Sequence, residues 1–470
     1  MITHRGSWWL PSSPEDRVHG GLSWDGEDHP QLQVDGQLSA LTLPMAFGGG
    51  PLEEHAVIMG HSFSGEDITC FQCLVAGRSI SLGGGKAGEE RYIVWGGAFV
   101  GGHFADANDA KFTTYEASIT HLGSWFPWRG LTEQPELNSE GRLDRYVLSY
   151  GYPTESMETK LGRATVKVSP SMQVSGERRR RQLHERLAFT LTYRERVSPM
   201  DVQAGEAEAL RKLLTLATQH PNSLEELKVT LKDDTSGARD GYWLSTRSPR
   251  ADVRHGRTED VQELYQHQLL FTAANMPADR RTDILARWLD LLTSCPLGLN
   301  VLISDIESPV GHVDSRLLLI ARAIEAIHRR KYPVSEAALR KHGERMAELR
   351  GMVTKRRLWD WTRGRLRRAY EPSLEERIRT ILSAVAPAIR RLIPDAGFAA
   401  AFAQRRNAYT HEDPESTADL DHVQTFAFVI QAQYLLMAWV LVEIGFTLEE
   451  TQQFLESNTA YEHFASQLSV

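Results

Sequence analysis

One segment constrains this chain more than any other: "FAFVIQAQYLLMAWVLVEIGF", residues 426–446. An apolar run of that length either spans a bilayer or is wrapped by other helices. Gln431, Gln433 and Glu443 interrupt it, and such groups are expensive in hydrocarbon. The run therefore reads as the buried helix of a bundle, with no membrane partner.

Its neighbours supply the rest of that bundle. "VDSRLLLIARAIEAIHRRKY" from Val313 repeats apolar residues at helical spacing. "SLEERIRTILSAVAPAIRRLI" opens with Ser373 three residues before Glu376, a capping-box pattern, and Pro387 is expected to kink it. "FAAAFAQRRNAYTH" reads as a third helix, the central run as a fourth, and "TLEETQQFLESNTAYEHFASQL" as a fifth, capped by Thr447 and Glu450.

The first 199 residues have a different character. Glycine is dense, and short apolar pieces such as "AVIMG" and "RLAFTLTY" alternate with turn signals such as "WDGEDHP" and "VDGQ". Between 200 and 309, helical patterns ("GEAEALRKLLTLATQ") flank strand-like pieces ("EELKVTL", "HQLLFTA"). The expected fold class is α+β multidomain: a β-rich N-terminal domain (1–199), a mixed α/β connector (200–309) and a C-terminal α-helical bundle (310–470). A chain of 470 residues is long enough for several cores.

Composition narrows the setting. A net charge of -8 advertises no nucleic-acid partner by itself, so any basic surface is local. Three cysteines, Cys70, Cys73 and Cys295, make an odd count, which argues against a disulfide framework and for the reducing cytoplasm.

Several apparent motifs carry little. "CFQC" lacks the second pair a structural zinc site needs, so two strand thiols are the better account. "SLGGGKAGEE" misses the phosphate-loop spacing and reads as a hairpin loop, and "GERRRRQ" as a solvated hairpin tip. "EAIH", Glu325 to His328, matches half of a di-iron motif with no second half, so an exposed polar face is expected. No metal site and no cofactor are expected.

Between Arg340 and Arg368, eleven Lys and Arg stand against three acids, with Trp359 and Trp361 interleaved. Lys355, Arg356, Arg357, Arg363, Arg365, Arg367 and Arg368 could track an RNA backbone while tryptophan stacks on bases. A solvated helix face accounts for the run equally well.

"RRNAYTHEDPE", residues 405–415, holds a different chemistry. Asn407 and His411 are four apart and share a helix face, with Arg406 adjacent. Cutting RNA without metal needs a base for the 2′-hydroxyl, a cation for the phosphate and an acid for the leaving 5′-oxygen. Arg406 and His411 supply two of these roles, and a two-fold-related copy would complete the set. The rival reading is a non-catalytic nucleic-acid-binding or scaffold module in which these groups cap a helix.

"QRRNAYTHEDPE" resembles the R-x(4-6)-H motif of HEPN-domain ribonucleases, down to the polar residue after the arginine. "GSWWLPSSPEDRVHGGLSWDGEDHPQLQVDG", with its W-x-x-P and G-x-L, looks like the N-terminal domain of ApeA-like antiphage proteins. The resemblance implies an abortive-infection endoribonuclease, quiet until a phage-derived trigger, expected to be a protein, reaches its N-terminal sensor. It then cuts host RNA, with tRNA the expected substrate, by metal-independent chemistry. It makes Arg406 and His411 the catalytic pair, Asn407 their polar support, and the protein a homodimer or higher homo-oligomer.

Overall fold

The computed structural model describes residues 2–26, 28–38, 54–79, 88–126, 128–152, 157–177, 182–233, 237–245, 263–309, 311–394, 397–411 and 421–468. They divide into two compact units. One comprises 1–214, 221–264 and 272–275, and the other 215–220, 265–271 and 276–470. Residues 200–309 are thus shared between the two units.

In the first unit the alternating segments form antiparallel strands. These are β1 (Ile2–Trp9), β2 (Val18–Trp24), β3 (Gln31–Val34), β4 (Glu54–Ser62), β5 (Asp67–Ser79) and β6 (Glu89–Val94). They pair in the ring β5-β4-β1-β2-β3-β6, and β6 closes back on β5, making a six-stranded barrel. Trp8, Leu22, Leu32, Val34, Ile58, Ile68 and Val94 fill it, each fully buried. Trp8 and Leu22 belong to the W-x-x-P and G-x-L patterns. Gly60 lets β4 lie against the Trp8 indole, where a Cβ would meet the ring at 2.3 Å.

"CFQC" is where β5 changes partner. Ile68–Cys70 pair with β7 (Ala98–Val100), whereas Cys73–Ser79 pair with β6. Gln72 sits between them at φ 48. Two residues three apart on a regular strand face opposite sides; the irregular backbone at Gln72 instead buries both Cys70 and Cys73 in the barrel core as free thiols. From β7 a second sheet continues through β15 (Gly237–Leu244), β14 (Leu224–Asp233), β8 (Phe112–Ile119), β13 (Gln182–Val197), β12 (Ala164–Ser175) and β11 (Glu158–Leu161). "EELKVTL" lies in β14, as expected. The hairpin of β9 (Leu131–Leu137) and β10 (Leu143–Tyr150) forms a separate two-stranded sheet. The loops "SLGGGKAGEE" and "GERRRRQ" fall between paired strands, at β5–β6 and β12–β13, but most of each lies outside the described residues.

The second unit is helical: α1 (Arg281–Ser294), α2 (Pro296–Glu307), α3 (Val313–Lys331), α4 (Glu336–Met352), α5 (Arg356–Leu366), α6 (Leu374–Ile389), α7 (Phe398–His411), α8 (His422–Glu443), α9 (Leu448–Ser457) and α10 (Thr459–Leu468). α8 is the apolar run, and from Val429 to Leu441 every side chain but Gln431 is buried. It packs against α3, α6 and α9, while α7 packs against α3 and α6. Two polar residues of the run find partners: Gln431 donates to the Leu392 carbonyl at 2.9 Å and Glu443 pairs with Lys331 at 2.6 Å. A bundle core, whose neighbours satisfy such groups, explains the run.

Both expected capping boxes form, at Ser373/Glu376 and Thr447/Glu450. Pro387 lies inside α6, which ends two residues later at Ile389 and passes into a turn. Three expectations need correction. The single last helix is two, α9 and α10, because Asn458 interrupts it: its side chain accepts from the Tyr461 backbone N–H and donates to the Gln268 carbonyl. "HQLLFTA" is not a strand but an apolar plug between two 3₁₀ turns, Gln266–Gln268 and Ala273–Asn275. Phe271 in it packs against Phe446 and Phe454, with ring centroids 5.4 and 6.1 Å away. "EAIH" is not an exposed face, since His328 is only 4% exposed and Glu325 is half-buried.

Candidate active site

α7 supplies the motif. Its apolar first half buries Phe398, Ala399, Phe402 and Ala403, and its polar second half emerges at "RRNAYTH". Arg405 and Arg406 diverge there. Arg405 turns toward α8, donating to Gln424 with its guanidinium 6.0 Å from the Phe428 ring centroid. Arg406 turns toward α3, donating to Glu325 Oε1 at 3.0 Å and to Asn407 Oδ1 at 3.1 Å. Of the two arginines, Arg406 lines the cleft.

The cleft is an open cavity of about 410 Å³ whose lining includes Glu325, Arg329, Arg368, Glu371, Arg377, Arg406 and Asn407. α3 contributes Glu325 and Arg329 one turn apart, α6 brings Arg377, and the loop before α6 brings Arg368 and Glu371. Arg377 is 4% exposed and ties the wall together, donating to the Pro372 carbonyl at 2.9 Å, the Glu325 carbonyl at 3.5 Å and Glu371 at 3.0 Å. The hydrogen bond from Arg329 to Glu371, helped by the charges of Arg377 and Arg368, holds the Glu371 carboxyl below the usual glutamate range. Burial, with the Arg377 charge adding to it, pushes the His328 imidazole below its ordinary value.

His411 is the last residue of α7; its side chain, and residues 412–420, lie outside the described residues. At 100° per residue, His411 lies about 140° around the helix from Arg406 and about 40° from Asn407.

Of the seven basic residues expected to track RNA between Lys355 and Arg368, Arg368 alone lines the cleft. Lys355 stands just before α5, Arg356, Arg357, Arg363 and Arg365 lie along it, and Arg367 follows it, all exposed. No residue of α4 or α5 is buried. Trp361 is 61% exposed, whereas Trp359 lies under the Arg350 guanidinium at 5.4 Å. The excursion leaves α3 beyond Arg329 and returns at Ser373, both on the cleft lining. Glu325, Arg329, Glu371 and Arg377 are cleft residues that sequence reasoning did not assign to the site; "EAIHRR" on α3, four helices before the motif, was the available signal for the first two. Among the described residues no three His, Cys, Asp or Glu side chains come together as a metal site.

Two family models match the chain: ApeA N-terminal domain 1 over residues 3–274 and Apea-like HEPN over residues 318–450. A β-rich N-terminal region followed by a HEPN bundle defines an antiphage-defence protein of a nuclease family. The chain belongs to the ApeA-like family with a C-terminal HEPN domain. No curated protein and no solved structure matches it.

Proposed function

We propose that this protein is a cytoplasmic endoribonuclease of abortive infection that cuts host RNA, with tRNA the expected substrate, by metal-independent attack of the 2′-hydroxyl on the neighbouring phosphate. The observation that carries the reading is Arg406, set by Glu325 and Asn407 in an open cleft five residues before His411 on one helix. Its guanidinium has five N–H donors. Those not engaged by Glu325 and Asn407 can meet a phosphate, where a fixed cation stabilises the charge that builds as the bond forms. His411 moves the proton to or from the 2′-hydroxyl or the 5′-oxygen.

The angular separation of Arg406 and His411 supports a site shared between two copies, with the arginine and histidine of each protomer completing the other's set. The exposed basic face of α5 holds flanking RNA. A phage protein is the proposed trigger, read by the N-terminal domain.

The test is purified protein with total RNA in EDTA: discrete fragments support the enzyme. The exposure of α4 and α5 also favours a second reading, a binding module, and intact RNA with a gel shift would select it.

A further inference from the structure

Glu371 stands at the junction of three arginines. Oε2 accepts from Arg329 and from Arg377 at 3.0 Å each, and Oε1 lies 3.8 Å from Arg368. Arg377 is buried, whereas the Arg329 and Arg368 side chains are 56% and 73% exposed. The loop is pinned twice: the Glu371 N–H donates to the Arg368 carbonyl at 2.9 Å, and Arg377 holds the Pro372 carbonyl.

Guanidinium groups gather at one place only if anions offset their repulsion. On this wall Arg329, Arg368, Arg377 and Arg406 face two carboxylates that serve them, Glu325 and Glu371, while the third carboxylate of the lining, Glu375, is paired with Arg379 at 2.7 Å. Positive charge is left over at the mouth. A free arginine also loses rotamer entropy when it is fixed on a ligand, and a carboxylate that already holds it removes part of that penalty.

We propose that Glu371 is a positioning residue that presents Arg329 and Arg368 as a second phosphate subsite, engaging an RNA phosphate beside the one at Arg406. The proposal rests on the ribonuclease reading and deepens it. Glu371 does not touch the substrate; buried Arg377 anchors its carboxylate, and the carboxylate holds the two exposed guanidiniums at the rim. Because the α4–α5 excursion returns through Arg368, this subsite lies where RNA tracked along α5 would enter the cleft.

The test turns on a sign. Removing a negative charge from an RNA-binding surface should tighten binding if Glu371 acts only through its charge. If it holds the arginines, Glu371→Gln should weaken binding. Fluorescein-labelled bulk tRNA, titrated against the full-length chain carrying His411→Ala to prevent cutting, gives the readout. Expected is a roughly ten-fold rise in Kd for Glu371→Gln, partial rescue by Glu371→Asp, and a fall of about 0.7 in the slope of log K against log salt for each phosphate that is no longer held. Arg329→Gln and Arg368→Gln, which leave Glu371 in place, should each weaken binding and lower the slope likewise, and they decide the matter should Glu371→Gln not fold. Equal or tighter binding by Glu371→Gln, or unchanged slopes in both arginine variants, would overturn the subsite while leaving the ribonuclease standing. Should the parent chain bind no tRNA and cut no RNA, the ribonuclease reading falls and the subsite with it.

Discussion

Arg406 owes its aim to a carboxylate on another helix, so the residue that makes it useful is 81 positions away in the chain. Arg406→Ala and His411→Ala should each lower RNA cleavage by about 10²- to 10⁴-fold, the range for removing a positioned cation or a general acid–base. Arg406 is part-exposed, so circular dichroism and the melting temperature should stay near those of the parent. A well-folded His411→Ala protein that cuts at the parent rate would refute the assignment. His328 gives a pH prediction. Its folded pKa lies below the ordinary value near 6.5, so the unfolded chain takes up the proton first as pH falls. The stability it contributes is present above about pH 6.5 and is lost as pH falls from there through the folded pKa. His328→Phe should therefore flatten the dependence of melting temperature on pH between about 7.5 and 5.5; an unaltered slope would show that other groups carry it.

Elements repeat the lesson at larger size. Helical periodicity marked α3, α6, α7 and α8 because an amphipathic or wholly apolar pattern is a local property of the chain. It misread "HQLLFTA", since an apolar run of that length suits a strand and a core plug alike, and packing against Phe446 and Phe454 decides. In the barrel, Gly60→Ala should drive a methyl into the Trp8 indole and destabilise the first unit by about 1–3 kcal/mol, the usual range for overpacking, read as a lower urea midpoint. For α5, charge reversal at Arg363, Arg365 and Arg367 should weaken RNA binding and reduce its salt slope by about 0.7 to 0.9 for each phosphate released. No change in slope would return these exposed arginines to the role of a solvated face.

At the scale of the whole molecule, a competent ribonuclease in a host cell must be held quiet. A trigger can shift such a balance only if it prefers the active state. The full-length protein is therefore expected to cut RNA poorly alone and efficiently with lysate from infected cells, the determinant mapping to residues 1 to about 200. Deleting that region should abolish triggering. A chain lacking it that still responded to infected lysate would assign the sensing elsewhere.

The amino-acid sequence by itself determined the β-rich first half, the helical second half and the motif "RNAYTH", because alternation, helical spacing and an arginine and histidine within six residues are all written locally. Only the tertiary structure decided that β5 divides its pairing between β6 and β7, that Arg406 rather than Arg405 faces the cleft, and that Glu325, Glu371 and Arg377 build its wall. Those outcomes depend on groups separated by tens of residues meeting in space. No short window of the sequence holds both Arg406 and Glu325, the carboxylate that aims it.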